Sequence, residues 1–73
     1  MHISPAECVI RAFGGVRSTA RAIGVEPSAV SRWRKRGPIP TGSLLIVLEK
    51  AKELGLDITS DDLIHGRDMP AEG

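Results

Sequence analysis

Thr19-Ala20-Arg21-Ala22-Ile23-Gly24-Val25-Glu26-Pro27-Ser28-Ala29-Val30-Ser31-Arg32-Trp33 is the stretch on which the fold of this 73-residue chain turns. Extended back to Val16, its first half places Val16, Ala20 and Ile23 on one side of a short helix and Arg17 and Arg21 on another. Gly24 stands where a helix commonly closes on a left-handed residue, because glycine has no Cβ to clash there. Val25 turns inward, and Pro27 opens a second helix at the one position where a missing N–H costs nothing. That helix reads to about Arg36. Ala29, Val30 and Trp33 form its inner stripe; Ser28, Ser31, Arg32 and Lys35 recur outside at i, i+3, i+4, i+7.

Working outward, Ser4-Pro5-Ala6-Glu7 predicts a capped helix start, with Ser4 accepting from the Glu7 amide and Glu7 reaching back. Cys8, Val9, Ala12 and Phe13 give that helix a buried face, and Gly14-Gly15 ends it. Downstream, Gly37-Pro38-Ile39-Pro40 cannot continue a helix and makes a rigid turn. A fourth helix over about Thr41–Leu54 is expected to turn Leu44, Leu45, Leu48, Ala51 and Leu54 inward, with Glu49, Lys50, Lys52 and Glu53 wet. Leu56 and Ile58 form a short apolar segment, and Thr59-Ser60-Asp61-Asp62 starts a last helical turn at Leu63-Ile64. From Gly66 onward the residues are small, polar or proline, which predicts a disordered tail over 66–73. No segment alternates with period two for long enough to predict a sheet. The expected fold is all-α: one compact five-helix bundle over 1–65 containing a helix-turn-helix.

Composition narrows the class. No apolar run approaches the roughly 18 residues of a membrane span, and no basic-then-apolar leader pattern opens the chain, so a cytoplasmic protein without membrane contact is expected. Cys8 is the single cysteine and His2 and His65 lie far apart, which leaves no internal disulfide, no metal site and no cofactor site to predict. The net charge of +1 hides a division. Residues 1–36 hold seven bases against two acids, and residues 37–73 hold three bases against seven acids. One half attracts polyanions and the other does not.

A helix lying in the DNA major groove needs short or forked polar side chains toward the bases. It also needs an apolar back face against its domain and cations at its edges for phosphates. Residues 27–36 meet all three requirements. The fifteen residues quoted above resemble the helix-turn-helix of the Cro repressors and of the related YdaS-type phage antitoxins, within the lambda repressor-like DNA-binding domains. The likeness runs on through Trp33-Arg34-Lys35-Arg36-Gly37-Pro38-Ile39-Pro40 to Asp62-Leu63. The resemblance implies a phage-type transcriptional regulator. Its base-reading positions fall on Pro27, Ser28, Ser31 and Arg32, and its phosphate contacts on the start of the second helix and the end of the third. Arg17, Arg21, Arg34, Lys35 and Arg36 are the cations so placed. Two positions depart from the pattern. Glu26 replaces a small polar cap, and Pro27 offers no polar group. Either Glu26 accepts from a cytosine amino group, or specificity rests more heavily on Arg32.

Other roles for these residues fit less well. Trp33, with only Phe13 as a second aromatic, makes no stacking platform for single strands and belongs to the core. Asp61 and Asp62 are adjacent on a helix and diverge, so capping accounts for them better than catalysis. No nucleophile has a candidate base and orienting group, and an enzyme is not expected. A homodimer on a pseudo-palindromic operator is expected, since one small module contacts too few bases for tight specific binding. Two rival readings fit the same residues: an antitoxin or anti-repressor that holds a toxin or other protein partner, and a non-specific nucleoid-type DNA binder.

Overall fold

The computed structural model describes residues 1–69. Among them five helices follow in order: α1 (Pro5–Phe13), α2 (Val16–Ile23), α3 (Pro27–Arg36), α4 (Thr41–Glu53) and α5 (Ser60–His65). The all-α architecture with its helix-turn-helix is therefore the observed one. Two-residue strands β1 (His2–Ile3) and β2 (Arg67–Asp68) flank the helices. The core gathers Ala6, Val9 and Ile10 of α1, Ala20 and Ile23 of α2, and Val30 and Trp33 of α3. Ile39, Val47 and Leu63 complete it.

Helix starts follow the local chemistry of their residues. Ser4 caps α1, its hydroxyl accepting from the Glu7 amide at 3.2 Å. Glu7 does not reach back as expected; its carboxylate instead takes Arg11 at 3.0 Å and Arg34 at 3.2 Å. Two cations outweigh one more backbone N–H as partners for a carboxylate. Thr59 caps α5 in a full capping box, its hydroxyl accepting from the Asp62 amide at 3.2 Å and its amide donating to Asp62 at 3.1 Å. Cys8 is buried on α1. Burial, and then the Asp62 charge, push its thiol above the ordinary 9.0, so it packs as a neutral hydrophobe.

Two expectations for α4 are corrected. Leu45 and Leu54 are not inward but 66% and 59% exposed, whereas Val47 and Ala51 are buried. Leu44 and Leu48 lie at the margin and pack against the core. The helix is rotated from the expected phase because Leu44-Leu45-Ile46-Val47-Leu48 is apolar on every side. The small Val47–Ala51 face allows the closest approach to the other helices.

The chain ends differ too. The tail expected from Gly66 instead returns to the start: β1 and β2 pair antiparallel, His2 opposite Asp68 and Ile3 opposite Arg67. Met69 donates its amide to the Met1 carbonyl at 2.6 Å. Arg67 donates to Asp62 through Nε at 3.1 Å, pairs with its other oxygen through Nη2, and reaches the Asp57 carbonyl at 3.2 Å. A pairing two residues long leaves no period-two signature. The rest of the expected tail, 70–73, lies outside the described residues.

Gly66 makes this return possible. Its φ of 79° and ψ of −165° fall in a region open essentially to glycine. A Cβ there would collide with the Ile3 carbonyl oxygen. Gly66→Ala is expected to destabilise the protein by about 1–3 kcal/mol from the backbone conformation alone. Urea unfolding checks it, and a loss below 0.5 kcal/mol would place the clasp outside the cooperative fold.

The Asp62–Arg67 pair makes stability pH-dependent. The Arg67 guanidinium, helped by the Thr59 amide, holds the Asp62 carboxyl below its ordinary 3.8, outweighing the opposite effect of burial. Because the folded value is the lower one, this stabilisation is present above 3.8 and lost as pH falls through the folded value. Asp62→Asn should lower Tm at neutral pH, with the gap to the parent protein closing on acidification. Thermal melts at a series of pH values give the comparison, and a gap constant with pH would contradict the assignment.

Candidate nucleic-acid interface

The interface is built on the turn between α2 and α3. Gly24 ends α2 at φ 85°, and its amide and that of Val25 both donate to the Ala20 carbonyl, at 2.8 and 3.0 Å. Thr19, fully buried, reinforces the start of α2 by donating its hydroxyl to the Gly15 carbonyl at 2.7 Å. Ala20 and Ile23 then meet Val30 and Trp33 in the core. A small residue at Ala20 sets how close the two helices approach.

With Val30 and Trp33 locked inward, the opposite side of α3 faces solvent. Glu26, Pro27, Ser28, Ser31 and Arg32, the five residues expected to read bases, are all exposed. Arg17, Arg21, Arg34, Lys35 and Arg36, expected at phosphates, are exposed as well. Glu26 occupies the N-cap of α3 in an extended conformation and makes no side-chain cap bond. Its carboxylate is therefore turned to solvent beside the outward stripe.

The cations are not equivalent. Arg34 pairs with Glu7 across to α1, which ties the exit of α3 to that helix. Arg17, Arg21, Arg32, Lys35 and Arg36 have no acidic partner among the described residues. Arg32 and Arg36 stand one turn apart and border an open cleft of about 440 Å³ with Trp33, Pro38, Pro40 and Thr41.

Sequence reasoning missed this cleft, and its walls explain why. Ile39 is buried, and the Ala6 amide donates to the Gly37 carbonyl at 3.0 Å, pinning the turn after α3 against α1. At the far wall, α4 begins at Thr41 after Pro40, with no side-chain cap and no acid in its first turn. The Ser43 amide donates to the Pro40 carbonyl at 2.9 Å, which leaves the Thr41 and Gly42 amides without an intrahelical partner. The signal available in the sequence was the rigid Pro38-Ile39-Pro40 segment directly after the basic helix end.

Chemically, the surface offers hydroxyls and a guanidinium on a convex helix, flanked by cations without an acidic partner and by the uncapped start of α2. Among the described residues no three histidine, cysteine, aspartate or glutamate side chains gather to hold a metal ion. No helix among them is long and apolar enough to cross a membrane.

Neither the curated proteins nor the solved structures compared with the chain gave a match. A family model described as DNA-binding transcriptional regulator Cro matches residues 6–47. That span covers more than half of the chain and contains all of α2, the turn and α3. A helix-turn-helix of this build and a match of this extent agree, and the chain belongs to the Cro family of DNA-binding transcriptional regulators.

Proposed function

We propose that the chain is a phage-type, sequence-specific repressor that places α3 in the major groove of an operator and binds its two half-sites as a homodimer. One observation carries this reading: the exposed row Ser28, Ser31 and Arg32 lies on a helix whose back is fixed by buried Val30 and Trp33. Arg32 is the principal reader, because a guanidinium can donate two parallel bonds to O6 and N7 of guanine. Ser28 and Ser31 add contacts that several bases satisfy. Glu26 accepts from a cytosine amino group, and Pro27 supplies shape. Arg17, Arg21, Lys35 and Arg36 neutralise phosphates, with Arg34 steadied by Glu7. The protein acts in the cytoplasm, where its DNA is.

Two half-sites follow from size. A single module of this kind buries little DNA surface, and pairing two of them multiplies the base contacts. The recognition helices then lie about one DNA turn, roughly 34 Å, apart on the same face.

The test is a salt titration with a palindromic operator candidate and a random duplex. Tighter binding to the former, with both affinities falling as salt rises, is the expected outcome. Equal affinities would favour a non-specific nucleoid-type binder. No affinity for either would favour a protein-binding role, such as holding a toxin. Within the same assay, Lys35→Ala should weaken binding to all sequences alike and reduce the salt slope by about one unit per bound module. A change confined to one sequence would instead make Lys35 a base reader.

A further inference from the structure

The two most exposed large hydrophobics of the acidic half, Leu45 and Ile64, border one groove. Leu44, Leu45, Leu48, Ser60, Leu63 and Ile64 line a groove of about 300 Å³ between α4 and α5. Leu45 and Ile64 stand on its rims, 66% and 60% exposed. A leucine and an isoleucine held this far into water flank a hole without filling it. Contiguous apolar surface of this kind marks an interaction site in a small domain.

The exposed side of α4 identifies what fits. Leu45 is its centre. Four residues before it, Thr41 opens the helix, with no side-chain cap and no acid in the first turn. Beside it Gly42 has open space where a Cβ would stand. Four residues after Leu45, Glu49 is exposed and makes no hydrogen bond or ion pair among the described residues. Reversing the helix about Leu45 exchanges residue 41 with residue 49. An antiparallel second α4 therefore brings an unpaired carboxylate to each uncapped, partly positive helix start. The missing side chain at Gly42 lets the two helices approach closely there. The same reversal brings the two Leu45 side chains together at the axis, each against the rim of the other copy's groove. A two-fold interface must be complementary to itself, residue i meeting j while j meets i. This surface carries a knob and a hole, a carboxylate and the amide donors it would accept from, in the positions that requirement sets.

We propose that the α4–α5 groove is the homodimer interface of this protein, with two copies packing α4 antiparallel about Leu45 so that Glu49 of each caps the partner's α4. The inference rests on the dimeric operator reading for its purpose, although the surface is self-complementary without DNA. Pocket and DNA surface are continuous: Thr41 borders both the groove and the cleft beside Arg32 and Arg36.

Sedimentation of the free protein tests it, run on the parent chain and three variants at solvent-exposed positions. Leu45→Glu sets like charges against each other at the two-fold axis and should weaken self-association at least about a hundredfold. Glu49→Lys should weaken it too, by placing a cation at a positive helix start. Leu54→Glu alters a leucine of similar exposure outside the groove and should leave association unchanged. Unaltered melting curves would show that each variant folds. Binding of a duplex carrying one half-site should be the same for all four proteins. That readout separates the two ideas, because its loss in the parent chain would sink the DNA reading and leave the dimer standing. A parent protein that stays monomeric at millimolar concentration would overturn the interface, as would a Leu45→Glu protein that associates as the parent does. Association that Leu54→Glu weakens as strongly as Leu45→Glu would place the contact elsewhere and also overturn it.

Discussion

Trp33→Ala is expected to remove about 3–5 kcal/mol of stability, the usual cost of truncating a large buried aromatic. Trp33 is 7% exposed and stands among the buried residues of α1, α2 and α4. A chain of 73 residues buries a small core, and domains of this size lie at the low end of the 5–15 kcal/mol range. The substitution would therefore leave a large fraction of molecules unfolded at room temperature. Urea unfolding followed by circular dichroism measures the shift. Apparent DNA affinity should fall with the folded fraction, and full occupancy should return at saturating DNA, since a ligand that binds only the native state refolds the chain. A folded Trp33→Ala protein that had lost its DNA binding would instead assign the indole to the DNA, contrary to its burial.

Arg32→Ala is expected to leave stability nearly unchanged, because the side chain is exposed and has no partner among the described residues. Its effect falls on recognition. A bidentate arginine–guanine contact contributes about 1–3 kcal/mol of discrimination, and a two-fold complex makes it twice. The summed loss of specificity on a palindrome is then about 2–6 kcal/mol, the largest effect of any single change on binding. Competition by duplexes altered one base pair at a time reads it directly. The variant should become indifferent at one position per half-site and keep its preferences elsewhere. Arg32 also borders the cleft shared with Arg36, which gives the alternative a definite form. Equal weakening against every duplex would make Arg32 a phosphate anchor and leave Ser28, Ser31 and Glu26 to read the bases.

The helix-turn-helix was legible because its determinants are local. Gly24 closes α2, Pro27 opens α3, and the spacing of Ala20, Val30 and Trp33 is visible within fifteen residues. The outward positions of Ser28, Ser31 and Arg32 follow from the same periodicity, since fixing one face of a helix fixes the other. Legibility failed where the pattern has no phase or the partner is remote. Five successive apolar residues, Leu44 to Leu48, leave the rotation of α4 undetermined, and tertiary packing selects Val47 for the core and Leu45 for the surface. The Glu7–Arg34 pair joins residues far apart in sequence, so only the packing of α1 on α3 shows that one cation of the basic run is already engaged. The closure of β1 on β2 likewise depends on Gly66, whose conformation no hydrophobic pattern encodes.

The burial of Val30 and Trp33 against the exposure of Ser28, Ser31 and Arg32 leads to one geometric claim, that the outward row of α3 enters the major groove. Dimethyl sulfate protection tests it most directly, because the reagent methylates guanine at N7 in the major groove and adenine at N3 in the minor groove. On an operator selected from a random-sequence pool, the parent protein should shield guanine N7 at two places about 10 base pairs apart. The Arg32→Ala protein should lose that shielding at one guanine in each half-site. Protection of adenine N3 alone, or none at either groove on a duplex that the protein binds, would contradict the placement of α3.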